Sequence, residues 1–490
     1  ICLFLLQLPL KIKKTAIKFM KFSKTLLFVS LLSTGSLMAQ SVKWFAGKQN
    51  DQDPNTHFNN TTVILDSAYF YNPEGLTWDK SGNLWVTERN KIRLLYNGSF
   101  YNRGGGFGDG DQSQSYVNNT GINARFYNPT GIVTDDQGVL YIADFGNHAI
   151  RKMDKFVNTG NGQVVSTFAG ALPDANKFGV PGTTNGTGTN AKFNSPKGIV
   201  RDANGNFYVT EYDNFVIRKI TSAGVVSTLA GNMTVTGKKD GTGSGAEFAG
   251  PYGIAILDNN YIVVSDFDNG TIRKVHMTTG VVTTIAGSAG DNRIIDGSLS
   301  SARFSNPRGV AVADGKIYVC DASTLRVIDI NAGTVSTFAG SKDNADNKDG
   351  VGANARFGIL GGIAYDGGTK LYVTDLYYNV IKTVNLDNFA PVADFTANKT
   401  AAVVDEVITL SNTSSGKPAT RLKWTITPNS YTVVTGNDTT APFSIKFTVT
   451  GFYSVGLSVT NAYGTDSKQK NSYISVSTTG IKDISETEGL

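Results

Sequence analysis

Cysteine is almost missing from this 490-residue chain: the two are Cys2 and Cys320. Cys2 lies in a leader-like segment, which leaves Cys320 without an intrachain disulfide partner. Cys320 stands where parallel stretches of the chain carry Thr, Ala or Ser, so it reads as a small buried residue. Histidine is also scarce. His57, His148 and His276 occupy unrelated contexts with no metal-ligand spacing. There is no G-x-S-x-G elbow, and no catalytic residue is assigned. Beyond residue 40 no stretch is apolar and long enough to span a bilayer, and the repeated part of the chain sustains no helical apolar period. An excess of one charge is missing too. Residues 1–40 hold six lysines and no acid or arginine. Setting these aside leaves 39 basic against 40 acidic residues, a net charge of −1. The pI near 8.8 therefore belongs to the leader, and there is no electrostatic basis for binding nucleic acid.

The length allows two to four domains. Residues 1–19 read as upstream, unstructured sequence. Residues 20–39 read as a secretory signal peptide: Lys21 and Lys24 precede the apolar run Leu26 to Leu32, and Leu37-Met38-Ala39 offers a cleavage site. This predicts a protein exported to the medium or the outer cell surface. No Cys follows the site, which argues against a lipid anchor.

What the chain has in abundance is one phrase. It is clearest from Phe126 to Met153, FYNPTGIVTDDQGVLYIADFGNHAIRKM, and recurs in altered form from Phe70, Phe193, Phe248, Phe304 and Phe357. The anchor glycines Gly75, Gly131, Gly198, Gly253, Gly309 and Gly362 are spaced by 56, 67, 55, 56 and 53 residues. Such self-similarity marks a repeat array. Each copy holds three short β-branched and aromatic runs bounded by Gly, Asn and Asp turns. Most add a fourth, such as VVSTFAG ending at Gly170. Four antiparallel strands per copy predict propeller blades, which leave few open edges. The sixth copy lacks the fourth phrase after Val384, but Val42 to Gly47 supplies it ahead of the first copy. This predicts a six-bladed ring whose last blade is closed by the N-terminal strand.

The phrases NPxGI, YVxD, NxxIRKI and VSTFAG resemble NHL repeats, across residues 42–386. The resemblance implies a six-bladed NHL-like propeller, a fold that hosts many functions. After Asn385 to Ala390 a different pattern begins. About seven short strands over 391–476 suggest an immunoglobulin-like β-sandwich. Alternation of Tyr453, Val455, Leu457 and Val459 predicts one buried face, with Trp424 anchoring the opposite sheet. The order P-x-A-x-F, W, G-x-Y-x-V-x-L-x-V-x-N and Y-I-x-V resembles a polycystic-kidney-disease (PKD) domain, which implies a spacer or adhesive module. The overall expectation is an all-β protein. Residues 477–490 form a polar tail whose position resembles the lead-in to a sorting domain of bacterial type IX secretion substrates; a plain disordered tail fits as well.

Candidate site residues follow from the repeat. The second strand of every copy ends in an acid: Glu88, Asp144, Glu211, Asp266, Asp321 and Asp375. The third strand then carries a base: Arg93, Arg151, Arg218, Arg273, Arg326 or Lys382. Six acids near one funnel predict a ligand or cation site; a repeated structural ion pair is the competing reading. Aromatics after the acid, Phe145, Tyr212, Phe267 and Tyr377, suggest a stacking surface for a glycan or peptide, or packing between blades. The loops leading into each copy vary most and are expected to carry recognition of a protein, peptide or glycan by a monomeric platform. Gly108 to Ser113 suggests a calcium loop but lacks EF-hand spacing, and reads as a turn. One alternative involves an enzyme. Pro73-Glu74-Gly75-Leu76-Thr77-Trp78-Asp79 resembles the opening of gluconolactonase/SMP-30 propellers, which implies a divalent metal at Glu74 and lactone hydrolysis. Otherwise no cofactor is expected. A purely structural surface or adhesion role is the remaining alternative.

Overall fold

The computed structural model describes residues 41–47, 62–65, 68–106, 115–158, 162–386, 391–414, 421–461 and 464–478. The leader, residues 479–490 of the tail, His57 and Gly108 to Ser113 lie outside the described residues. Among the described residues no helix is long and apolar enough to cross a membrane.

The repeats form six five-stranded antiparallel sheets. In the second, the order from the inside outward is Pro129–Thr134, Leu140–Asp144, Ala149–Met153, Val164–Ala169 and Asn119–Thr120. The four-strand expectation is thus one strand short. The outermost strand is a two-residue piece of the lead-in loop, as with Gly186–Thr187, Gly241–Thr242 and Gly297–Ser298. In the first sheet Ser99–Gly104 is the fourth strand although it carries no VSTFAG phrase. The sixth sheet is closed as the sequence predicts. Ser41–Ala46 pairs with Val380–Asn385, while Gly350–Val351 takes the outer edge.

The Pro-x-Gly motif has a local cause. Each innermost strand carries a bulge there: Pro129 pairs with Asp144, yet Ile132 pairs with Ile142, so Thr130 and Gly131 oppose Ala143 alone. The same break follows Pro73, Pro196, Pro251, Pro307 and Leu360. A bulge re-aims the side chain at its centre. The glycine that follows lies against the next sheet. A Cβ on Gly131 would stand 2.6 Å from Lys197 O, and one on Gly253 would stand 2.2 Å from Arg308 O. The series closes on itself, because a Cβ on Gly362 would meet Glu74 O at 1.9 Å. Only a residue without a side chain allows such an approach.

A hydroxyl reinforces these seams. Thr87 Oγ1 accepts from Gly75 N at 2.7 Å and donates to Thr130 O at 2.6 Å. Thr210 links Gly198 N to Tyr252 O, and Ser265 links Gly253 N to Arg308 O. Ala143 has no hydroxyl at this position, and Thr130 Oγ1 donates to Lys197 O instead, at 2.7 Å. Cys320 is the fifth sheet's counterpart, fully buried and 3.8 Å from Gly362 O. Burial pushes its thiol pKa far up. Apolar clusters lie between neighbouring sheets; one joins Tyr141 and Ile150 of the second to Phe193, Phe207 and Val209 of the third.

The described residues between 391 and 478 form two four-stranded sheets around one core. The first runs Phe395–Ala397, Val407–Asn412, Phe443–Phe447, Tyr431–Thr435; the second runs Ala401–Val403, Gly464–Ser477, Gly451–Asn461, Arg421–Thr427. Tyr453, Val455, Leu457 and Val459 are buried together, as the alternation predicts. Trp424 is buried, but not opposite them. Its strand pairs directly with theirs, Trp424 facing Leu457 across one sheet. The alternation identified the buried face but not which strand lay beside it.

Candidate functional site

The six acids lie inside the sheets. Asp144 is fully buried; its Oδ2 accepts from Arg151 Nη1 at 2.8 Å and Asn147 Nδ2 at 2.9 Å, and its Oδ1 from Tyr127 N at 2.8 Å. Glu211 with Arg218, Asp266 with Arg273, Asp321 with Arg326 and Glu88 with Arg93 repeat the pair at 2.5, 2.9, 3.1 and 2.9 Å. Asp375 differs: it caps the backbone of Gly358, Tyr377 and Tyr378, while Lys382 reaches Asp349 at 3.7 Å. All six acids are between 0 and 2 % exposed. Burial raises the pKa of Asp144, Glu211, Asp321 and Asp375 against the pull of their partners, and carries Asp266 to about 6.

Four of these arginines, Arg151, Arg218, Arg273 and Arg326, have a second task that the sequence did not disclose. Their other amino group binds the lead-in loop: Arg273 Nη2 to Asp240 at 2.8 Å, Arg326 Nη2 to Asp296 at 2.8 Å, Arg151 Nη2 to Asn118 at 2.7 Å. The Asp-Gly turns at 240 and 296 are therefore anchors for the loops. The asparagine after the acid adds to this. Asn147, Asn214 and Asn269 donate to Ser115 O, Gly182 O and Gly237 O. The lead-in loops and the second turns thus meet.

The polar pocket lies elsewhere, at the axis. The bulges of the innermost strands bring Glu74, Thr130, Lys197, Tyr252 and Gly361 to the lining of an open channel mouth. The anchor glycines and then Leu76, Ile132, Ile199, Ile254, Val310 and Ile363 line it further along. Lys197 Nζ forms an ion pair with Glu74 Oε1 at 2.8 Å, and the Tyr252 hydroxyl donates to the same oxygen. Burial disfavours ionisation of Glu74, but Lys197, Tyr252 and Arg308 outweigh it and hold its pKa below the usual carboxylate range. Burial alone would lower that of Lys197; Glu74 more than offsets it and raises it. Burial and the Glu74 charge push Tyr252 to about 12.

The aromatics expected as a surface partly converge here. Phe145 carries Lys197 Nζ 4.4 Å from its ring centroid. Phe267 stacks on Tyr252 at 5.6 Å, and Tyr212 stands edge-on to both. Their faces hold cations and one another. Tyr377 is not brought into this group; it is 54 % exposed and packs on Tyr378. Of the mouth residues, the sequence reading singled out Glu74 alone. Lys197, Tyr252 and Arg308 occupy the same repeat position, and that alignment was the available signal.

Glu74 as a metal ligand is tested by its surroundings. Its Oε1 is taken by an ammonium and a phenol, and among the described residues no group of three His, Cys, Asp or Glu could hold a metal ion. A hard divalent cation needs several oxygen donors, so this donor set does not fit one. A different latch lies beside the mouth: His148 Nδ1 accepts from Ser195 N at 3.0 Å, the role that Asn90 and Asn379 play for Asn128 N and Asn72 N. Burial lowers the His148 pKa, against the pull of Asp213.

Sheets arranged around a shared channel define a propeller-like β protein. The NHL repeat family model matches residues 126–153. Human NHL repeat-containing protein 2 is 29% identical over 291 residues, covering 52% of this chain and 38% of that protein. The chain thus spans well under half the length of this relative. Among solved structures, a Bacteroides thetaiotaomicron protein of unknown function aligns with TM-score 0.52 and 19% identity, over 71% of this chain and 76% of its own. An auxiliary nutrient binding protein of the same organism aligns with TM-score 0.51 and 15% identity, over the same shares. These likenesses establish the propeller-like fold.

Proposed function

We propose that the chain is an exported binding platform. In this reading it is a six-bladed NHL-like propeller followed by a PKD-like sandwich, and its loop face recognises a protein, peptide or glycan. The observation that carries it is the pinning of the lead-in loops. Arginines buried in the sheets hold them in place, which pre-organises a surface that would otherwise lose entropy on binding. The sandwich then serves as a spacer. The test is an array of glycans and peptides probed with the full chain and with Leu172→Lys, a change at an exposed apolar side chain of the loop at 171–192. Wild-type binding that the variant loses, with its melting temperature unchanged, is the expected outcome. Binding retained in full removes that loop from the reading.

The lactonase-like reading has one observation in its favour, Glu74 at the channel mouth. It requires about one tightly held divalent ion per chain, lost in Glu74→Ala. Elemental analysis after exhaustive dialysis decides it.

A further inference from the structure

Arg308 differs from the five arginines described above. Among the described residues its guanidinium makes no ion pair to a carboxylate, whereas each of those five does; its Nε is buried without a partner, as theirs are. Aromatic faces hold it in place instead: its Cζ lies 5.6 Å from the Tyr252 centroid and 5.2 Å from that of Phe267. It acts on Glu74 and Tyr252 through space. Cations held over rings gain stabilisation without losing their charge to a carboxylate. The charge of the mouth can then be stated. Glu74 offsets Lys197 at 2.8 Å, and the positive charge of Arg308 is left over. A planar guanidinium suits a carboxylate, which takes two parallel charge-assisted bonds.

We infer that the channel mouth binds a small ligand through a single carboxylate gripped by Arg308. This rests on the binding-platform reading and names the chemical class its central pocket takes. With Lys197 already paired to Glu74, Arg308 is one cation without a carboxylate partner among the described residues and suits one carboxylate. A dianion such as phosphate, or a polyacid, would meet Glu74 across the pocket and two exposed acids near it: Asp268, whose Oδ2 accepts from the Tyr212 hydroxyl at 3.4 Å, and Asp213, which pairs with Ser195. Glu74, Lys197 and Tyr252 line the pocket, and Arg308, at the same repeat position, stands beside them. Ile132, Ile199 and Ile254 further along the channel offer the ligand's body an apolar side.

The test is calorimetric titration of the full chain with acetate, D-glucuronate and hippurate, with D-glucose and inorganic phosphate alongside. At least one monocarboxylate is expected to bind saturably. Its affinity should fall about tenfold or more in Arg308→Gln, since charge-assisted bidentate bonds are lost, and less in Arg308→Lys. Circular dichroism checks the fold, and the Lys variant stands in if the Gln variant does not fold. No saturable carboxylate binding, an unchanged affinity in both variants, or tighter binding of phosphate overturns the inference. Array binding that persists in Arg308→Gln while the carboxylates fail to bind leaves the loop-face platform intact and removes only the mouth. An array blank for wild type removes the platform itself.

Discussion

Replacing Arg273 with Met isolates what the buried pairs do. Arg273 lies fully inside the fourth sheet. Its Nη1 serves Asp266 at 2.9 Å and Glu247 O at 2.9 Å; its Nη2 serves Asp240 at 2.8 Å and Lys239 O at 3.2 Å. Met fills part of the volume but leaves the Asp266 carboxylate buried without its counter-charge. Breaking one side of such a pair costs about 3–5 kcal/mol. In the double variant Asp266→Asn/Arg273→Met no charge is stranded. What is lost is the stitching of the loop at 232–247, about 2 kcal/mol at typical hydrogen-bond values. Acidity adds a second handle. Asp266 titrates near 6, above its ordinary value of 3.8. A raised carboxyl pKa means that its contribution to stability is full below about pH 4 and is lost as pH rises through 6. The single variant should therefore be hurt less at pH 5 than at pH 7, because its carboxyl can take up a proton. Urea denaturation of wild type, single and double variants at both pH values reads all of this. Equal loss in single and double variants, or a single-variant loss independent of pH, refutes the stranded-charge argument.

Two further outcomes follow from the ring. Deleting residues 42–47 removes the strand that covers Val380–Asn385 and should lower the melting temperature of the whole propeller; an unchanged value means that the last sheet is closed some other way. In His148→Asn the latch to Ser195 N no longer titrates. The His148 pKa is depressed, so its contribution is present above the ordinary value of about 6.5 and fades as pH falls below it. The variant should flatten the stability profile between about pH 7 and 5, and a wild-type slope that persists there assigns it to other groups.

The repeat made the strands, their order and the closure at Val42 to Gly47 legible, because periodic glycines and β-branched runs are local signals. The two-residue outer strands were not legible. Gly186–Thr187 is too short to show alternation, and what pairs it is the loop's path. Five of the six acid–base pairs were legible as pairs, while their depth was not: burial depends on what packs above, here Phe126 or Phe248 against the arginines. In the mouth, Glu74 and Tyr252 are 178 residues apart. No local pattern joins them; only superposing the copies does.

The hydroxyl seams carry one more consequence. They run through main-chain atoms of the residue ahead of each anchor glycine, Thr130 O, Tyr252 O and Arg308 O, and, Thr130's own hydroxyl apart, leave its side chain out of the joint. That residue is Glu in one sheet, then Thr, Lys, Tyr, Arg and Gly around the ring, on an unchanged frame. The axis thus behaves as a socket board with six positions, in which chemistry can be exchanged one pin at a time without rewiring the wheel.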